Sequence, residues 1–164
     1  MIVDHFKEMY IAELQELRSV EDQLTRALPK MAEEAQHPAL KEALSKHLDE
    51  TTAQLERLDR ILAKEGVEPR EHEDESMWSI INEADRWVKM VGDGGLRDAA
   101  IIASAQRVEH YEIAVYGTLA TWSKGLGRED DLKDLLESLQ QEKHSDEVLS
   151  ALAKQVINPE AFMV

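Results

Sequence analysis

The stretch Val108-Glu109-His110-Tyr111-Glu112-Ile113-Ala114-Val115-Tyr116 places acids where a helix should be apolar. At about 100° per residue, the stripe Asp98, Ile101, Ala105, Val108 and Leu119 marks the buried face of its helix. Glu109, Glu112 and Tyr116 fall within roughly 60° of the centre of that stripe, whereas His110 falls roughly 150° away. Two carboxylates one turn apart therefore point inward. A later helix repeats the pattern: its stripe Leu135, Leu139, Leu149 and Ala153 includes Glu142 and Asp146, with His144 facing outward.

Other apolar periodicities extend the picture to a bundle. Phe6, Tyr10, Leu14, Leu17, Leu24, Leu28 and Met31 form a first stripe, with Glu21 lying inside it. Pro29 should kink or interrupt the last turns of that helix, since it lacks an N–H and crowds the preceding turn. After the break at His37-Pro38, Leu40, Leu44, Leu48, Leu55, Leu58 and Leu62 define a second helix, stopped at Gly66. His47, Thr51 and Gln54 lie on or beside its stripe, and Glu50 lies on the edge, roughly 90° from the centre. A polar connection over 67–75 separates two halves. A shorter helix with Trp78, Ile81, Trp87 and Val88 precedes the break Gly92-Asp93-Gly94-Gly95, and should pack across the bundle or cover one end. The expected helices are 4–36, 38–65, 76–91, 96–124 and 129–157, with the last five residues as a tail. The fold class is all-α, in one domain, as 164 residues suit.

The halves resemble one another. Ala39-Leu40-Lys41-Glu42-Ala43-Leu44 aligns with Asp131-Leu132-Lys133-Asp134-Leu135-Leu136, which sets Glu50 on Glu142 and Gln54 on Asp146, and Val20-Glu21 aligns with Val108-Glu109. Two related hairpins facing each other would bring these polar residues together near the bundle axis.

Composition narrows the chemistry. A formal charge of -15 without any basic run disfavours nucleic acid and suits cations, although surface acids also serve solubility. With no cysteine, disulfides, thiolate metal sites and cysteine nucleophiles are excluded. No apolar run approaches the ~20 residues of a membrane span, and the start lacks a signal-peptide pattern, so a cytoplasmic location and no membrane partner are expected. An ionised carboxylate inside a bundle is costly unless it is paired or bound to a cation. Glu side chains converging from four helices suit two Fe or Mn ions. The competing reading has these acids protonated or hydrogen-bonded to Tyr10, Tyr116, Gln54 and His47. His47 reads first as a hydrogen-bonded core histidine, and Tyr10 and Tyr116 as core residues with a polar tip.

Ala27-Leu28-Pro29-Lys30-Met31-Ala32, His47-Leu48-Asp49-Glu50-Thr51, the stretch 108–116 and Glu142-Lys143-His144-Ser145-Asp146 together resemble the YciE/YciF-like branch of the ferritin-like superfamily, bacterial stress-associated proteins akin in fold to rubrerythrin. The resemblance implies a ferritin-like four-helix bundle with a short extra helix between the hairpins, a homodimer, and a di-metal site with Glu21, Glu50, Glu109, Glu112, Glu142 and Asp146 as candidate ligands. Ferritin-like oxidases carry Glu-x-x-His on two helices. Here Ala53 and Ser145 stand at those histidine positions, with Gln54 and Asp146 one residue later. An all-oxygen set makes a harder site, so oxygen or peroxide chemistry is open, and a non-enzymatic bundle acting through protein association is the alternative.

Overall fold

Each leucine stripe becomes one buried helix face in the computed structural model, which describes residues 3–92 and 94–163. Met1, Ile2, Asp93 of the expected break and Val164 of the expected tail lie outside the described residues. Helices α1 (Phe6–Glu34) and α2 (Pro38–Glu65) form one hairpin, and α4 (Gly95–Gly125) and α5 (Glu129–Leu152) the other. The hairpins meet through α1 against α4 and α2 against α5, which closes a four-helix bundle. The short helix α3 (Glu75–Met90) joins them and packs along α4 and α1. No helix among the described residues is long and apolar enough to cross a membrane.

Local chemistry sets the helix ends. Pro38 occupies the first turn of α2, where a missing N–H costs nothing, and His37 Nδ1 accepts from the Ala39 N–H at 3.2 Å. Gly66 ends α2 at φ 67°, the left-handed conformation that a side chain would oppose. Asp74 caps α3 by accepting from the Met77 N–H at 2.6 Å. The turn between α1 and α2 is held from elsewhere: Asp98, in the first turn of α4, accepts from the Gln36 and His37 N–H groups at 2.7 and 2.8 Å.

The structure departs from expectation at three places. α1 runs unbroken through Pro29 to Glu34. Pro29 is exposed and Thr25, whose carbonyl loses its partner, is only half-buried, so water can satisfy the freed oxygen. Phe6 is 51% exposed rather than buried, resting edge-on against Trp122. At the C-terminus, α5 continues as a π-helical turn (Ala153–Ile157) and then α6 (Asn158–Ala161). The wider turn lies directly before Pro159, where the ring would clash with an ordinary α-helical carbonyl.

The supposed tail is docked at Ala161, while Phe162 and Met163 stay 83% and 85% exposed. Ala161 is buried, and a Cβ placed on Gly95 would lie 3.1 Å from the Ala161 Cα and N. Gly95→Ala is expected to destabilise the fold by about 1 kcal/mol, read as a thermal midpoint lower by about 2–4 °C. An unchanged midpoint would show that the terminal helix does not bear on α4.

The core is layered. Leu40 and Leu44 at one end of α2, and Leu58 and Leu62 at the other, are buried, each worth ~1.5–3 kcal/mol. Between them the buried residues are polar: His47, Thr51 and Gln54. Glu21 between Leu17 and Leu24, Glu109 and Glu112 between Ala105 and Leu119, and Glu142 between Leu135 and Leu149 continue this layer across the bundle.

Candidate metal centre

Four residues from three helices converge in the polar layer. His47 of α2, Glu109 and Glu112 of α4 and Glu142 of α5 each offer a ligand atom within 4.8 Å of the others, and all four are buried. Glu21 of α1, also fully buried, adjoins them: the Glu142 and Glu112 side chains both act on its carboxyl.

Hydrogen bonds fix one oxygen of three carboxyls and leave the other free. Ser145 Oγ donates to Glu109 Oε1 at 2.9 Å, the Gln54 amide donates to Glu142 Oε1, and the Tyr116 hydroxyl donates to Glu21 Oε1. Glu109 Oε2, Glu142 Oε2, Glu21 Oε2 and both Glu112 oxygens lack a hydrogen-bond partner, as do both His47 nitrogens. His47 Nε2 lies 3.2 Å from Glu109 Oε1 and 3.9 Å from Glu142 Oε2, without hydrogen-bond alignment. Such orphaned buried atoms are rare in proteins. A carboxylate-rich set with one imidazole fits Fe or Mn.

Electrostatics point the same way. Burial, reinforced by the charge of Glu142, holds the carboxyls of Glu21, Glu109 and Glu112 well above the ordinary carboxylate range. Burial and the Glu21 charge likewise push the Tyr116 hydroxyl up, so it keeps the proton that it donates. The Arg57 guanidinium moderates Glu21 from the rim, where it donates to Gln141 Oε1 at 2.9 Å. Gln141 Oε1 also accepts from Gln54 at 3.2 Å, which ties Arg57 to the amide that orients Glu142.

The sequence-derived set divides. Glu21, Glu109, Glu112 and Glu142 share the buried layer, with Gln54 and Tyr116 bonded to them. Asp146 does not join the four-residue cluster: its Oδ1 takes Gln106 Nε2 at 3.1 Å and faces the exposed His110 at 3.2 Å. From Glu142, positions 145 and 146 flank the same face by about 60° and 40° on opposite sides, and the helix turns the 145 side inward. Ser145 thus contacts Glu109 where Asp146 was expected. Glu50 also stands outside the cluster, 20% exposed, with Oε2 4.0 Å from His47 Nδ1. The His47 imidazole holds its carboxyl below the usual range. Glu50 and Glu142, aligned in sequence, therefore stand in different surroundings, and His47, read as a core histidine, is the α2 residue that joins the converging group. Tyr10 is buried but remote. It donates to Asp131 at 3.4 Å under the Arg128 guanidinium, eleven residues or roughly 16 Å of helix from Glu21.

Comparison with known proteins accords with this fold. The chain is 40% identical over 156 residues to Protein YciF of Escherichia coli (strain K12), covering 94% of each. The crystal structure of the E. coli stress protein YciF superposes with a TM-score of 0.90 at 38% identity, covering 95% of this chain and 99% of that one. YcfI from Rhodopseudomonas palustris, named as a candidate structural protein, superposes with a TM-score of 0.87 at 38% identity, covering 90% and 94%. The model of the family described as a domain of unknown function, DUF892, matches residues 5–162. The chain belongs to this family, with YciF as a relative.

Proposed function

We propose that the polar layer binds two Fe or Mn ions, and that the loaded protein reacts with oxygen or peroxide as part of a stress response. The observation that carries this reading is the pairing pattern: three buried carboxyls each have one oxygen anchored and one unpartnered, beside the unpartnered oxygens of Glu112 and the unpartnered nitrogens of His47. Protein groups that anchor a ligand from behind set its orientation and raise its affinity. Glu109, Glu112, Glu142 and His47 would be the principal ligands, and Glu21 would complete the second position. The bound metal supplies redox capacity toward a small oxidant. Ser145, Gln54 and Tyr116 hold the carboxyls in place, and the leucine layers above and below exclude water.

The stress role is taken from the name of the E. coli relative. A homodimer is part of the same proposal, and sizing the protein in solution tests it. The second reading, a non-enzymatic bundle working through protein association, draws on the raised carboxyls of Glu21, Glu109 and Glu112, which can stay protonated, and on the name of the R. palustris relative.

Elemental analysis decides between them. Protein purified without added metal, or exposed to Fe(II) or Mn(II) without air, is expected to hold about two ions per chain, as the oxygen-rich di-metal bundles do. Glu109→Ala should lose them. A wild-type chain that takes up neither ion would leave the structural bundle standing.

A further inference from the structure

His47 is the most exposed member of the cluster, at 3% against 1% or less for the three glutamates. Outside it, a pocket of about 30 Å³ opens in the seam between α2 and α5, walled by Ala43, Glu50, Ser145 and Val148 with Lys46 and His144 beside them. The imidazole stands between two environments. Its Nδ1 lies 4.0 Å from Glu50 Oε2 on the solvent side, and its Nε2 lies 3.2 Å from Glu109 Oε1 on the buried side. Ser145 spans the same boundary, lining the pocket while its hydroxyl reaches Glu109.

We propose that this pocket is a transit site for a divalent cation, in which Glu50, the Ser145 hydroxyl and His47 Nδ1 replace water ligands as the ion passes to the buried carboxylates. The inference rests on the metal reading above. Its physical basis is size: the pocket has room for only a few waters, so an ion carrying a full octahedral water shell does not enter intact. Every water shed must be replaced by a protein atom, or the desolvation cost blocks passage. Glu50 supplies an anionic oxygen at the mouth, 20% exposed where the cluster glutamates are 1% or less. Lys46 works against it, since its ammonium lies 4.0 Å from Glu50 Oε1 and is 65% exposed. His47 then hands the ion from one ring nitrogen's surroundings to the other's.

The test is the rate of uptake, separate from the amount bound. Chelator-stripped protein would be mixed with Mn(II), and the free-ion signal followed by rapid-quench electron paramagnetic resonance. Glu50→Ala is expected to slow loading by roughly tenfold, the effect of about 1.4 kcal/mol on a barrier, with the final stoichiometry unchanged. Val148→Trp, at a position already 38% exposed, should slow it by obstruction, and Lys46→Ala should speed it. Wild-type rates in Glu50→Ala would overturn the transit site. A final content one ion short would overturn it in another way, by making Glu50 a resident ligand. Failure of the wild type to take up Mn(II) would instead remove the metal reading itself, and the transit site with it.

Discussion

Stripped of metal, the protein is expected to lose stability steadily as the pH rises above about 4.5, the ordinary value of these carboxyls. The cause is the folded-state position of Glu21, Glu109 and Glu112. In the unfolded chain each carboxyl titrates near 4.5, and in the bundle burial raises it well above that. Across the interval between the two values, the folded chain retains protons that the unfolded chain has released. Stability is therefore fully present below the unfolded value and drains as pH climbs through the folded one, by about 1.4 kcal/mol per pH unit for each proton retained. Glu50 and Glu65, whose carboxyls are lowered, act in the opposite sense only below pH about 4.5, outside this window. Thermal midpoints of chelated protein at constant ionic strength measure the slope. Saturating Mn(II) should reverse it, because metal displaces the same protons and binds more tightly as they leave. Glu112→Gln should flatten the apo slope by deleting one titrating group. A flat wild-type profile would contradict the assignment of these carboxyls as buried and uncompensated.

The second large effect concerns Glu142, whose charge raises the carboxyls of all three neighbours. Glu142→Gln removes that charge from among three other buried carboxyls and leaves an amide of nearly the same shape. At pH 8 the chelated variant is expected to melt several degrees above chelated wild type, by about 2–4 °C for each kcal/mol of repulsion relieved. With Mn(II) present the order should invert, since the variant lacks a carboxylate ligand and gains nothing from the ion. Such a crossing of two melting curves distinguishes a ligand from a packing residue. A purely structural Glu142 would give a variant that is less stable in both conditions.

The helical wheel put Glu21, Glu109, Glu112 and Glu142 on the inward faces, and all four are buried, because the apolar stripes are wide enough to take in residues up to roughly 60° from their centres. It resolved less where neighbouring residues share a face. In α2 it put Glu50 on the stripe edge and His47 on or beside the stripe, and the structure buries His47 while Glu50 stays 20% exposed; the ligand role of Glu50 came from the resemblance instead. On α5, Asp146 lies as near the stripe centre as Glu142, about 20° by the same arithmetic, yet Ser145 is the residue that reaches Glu109. Arg57 and Gln141 were not legible either, since their contribution arises from a contact between helices far apart in sequence. The helix ends at His37, Pro38 and Gly66 could be read because capping is local. The continuation through Pro29 and past Pro159 could not, as it depends on exposure in one case and on a π-helical turn in the other.

Asp98 carries a consequence for the order of assembly. The two N–H groups between α1 and α2 have their acceptor in the second hairpin, 61 and 62 residues along the chain. Cut after Gly66, the first hairpin would keep its leucines and lose the carboxylate that closes its own turn. Whatever kinship the two halves retain in sequence, neither is a finished unit. The second hairpin completes the backbone of the first, so the first is expected to be finished only once α4 has docked against it.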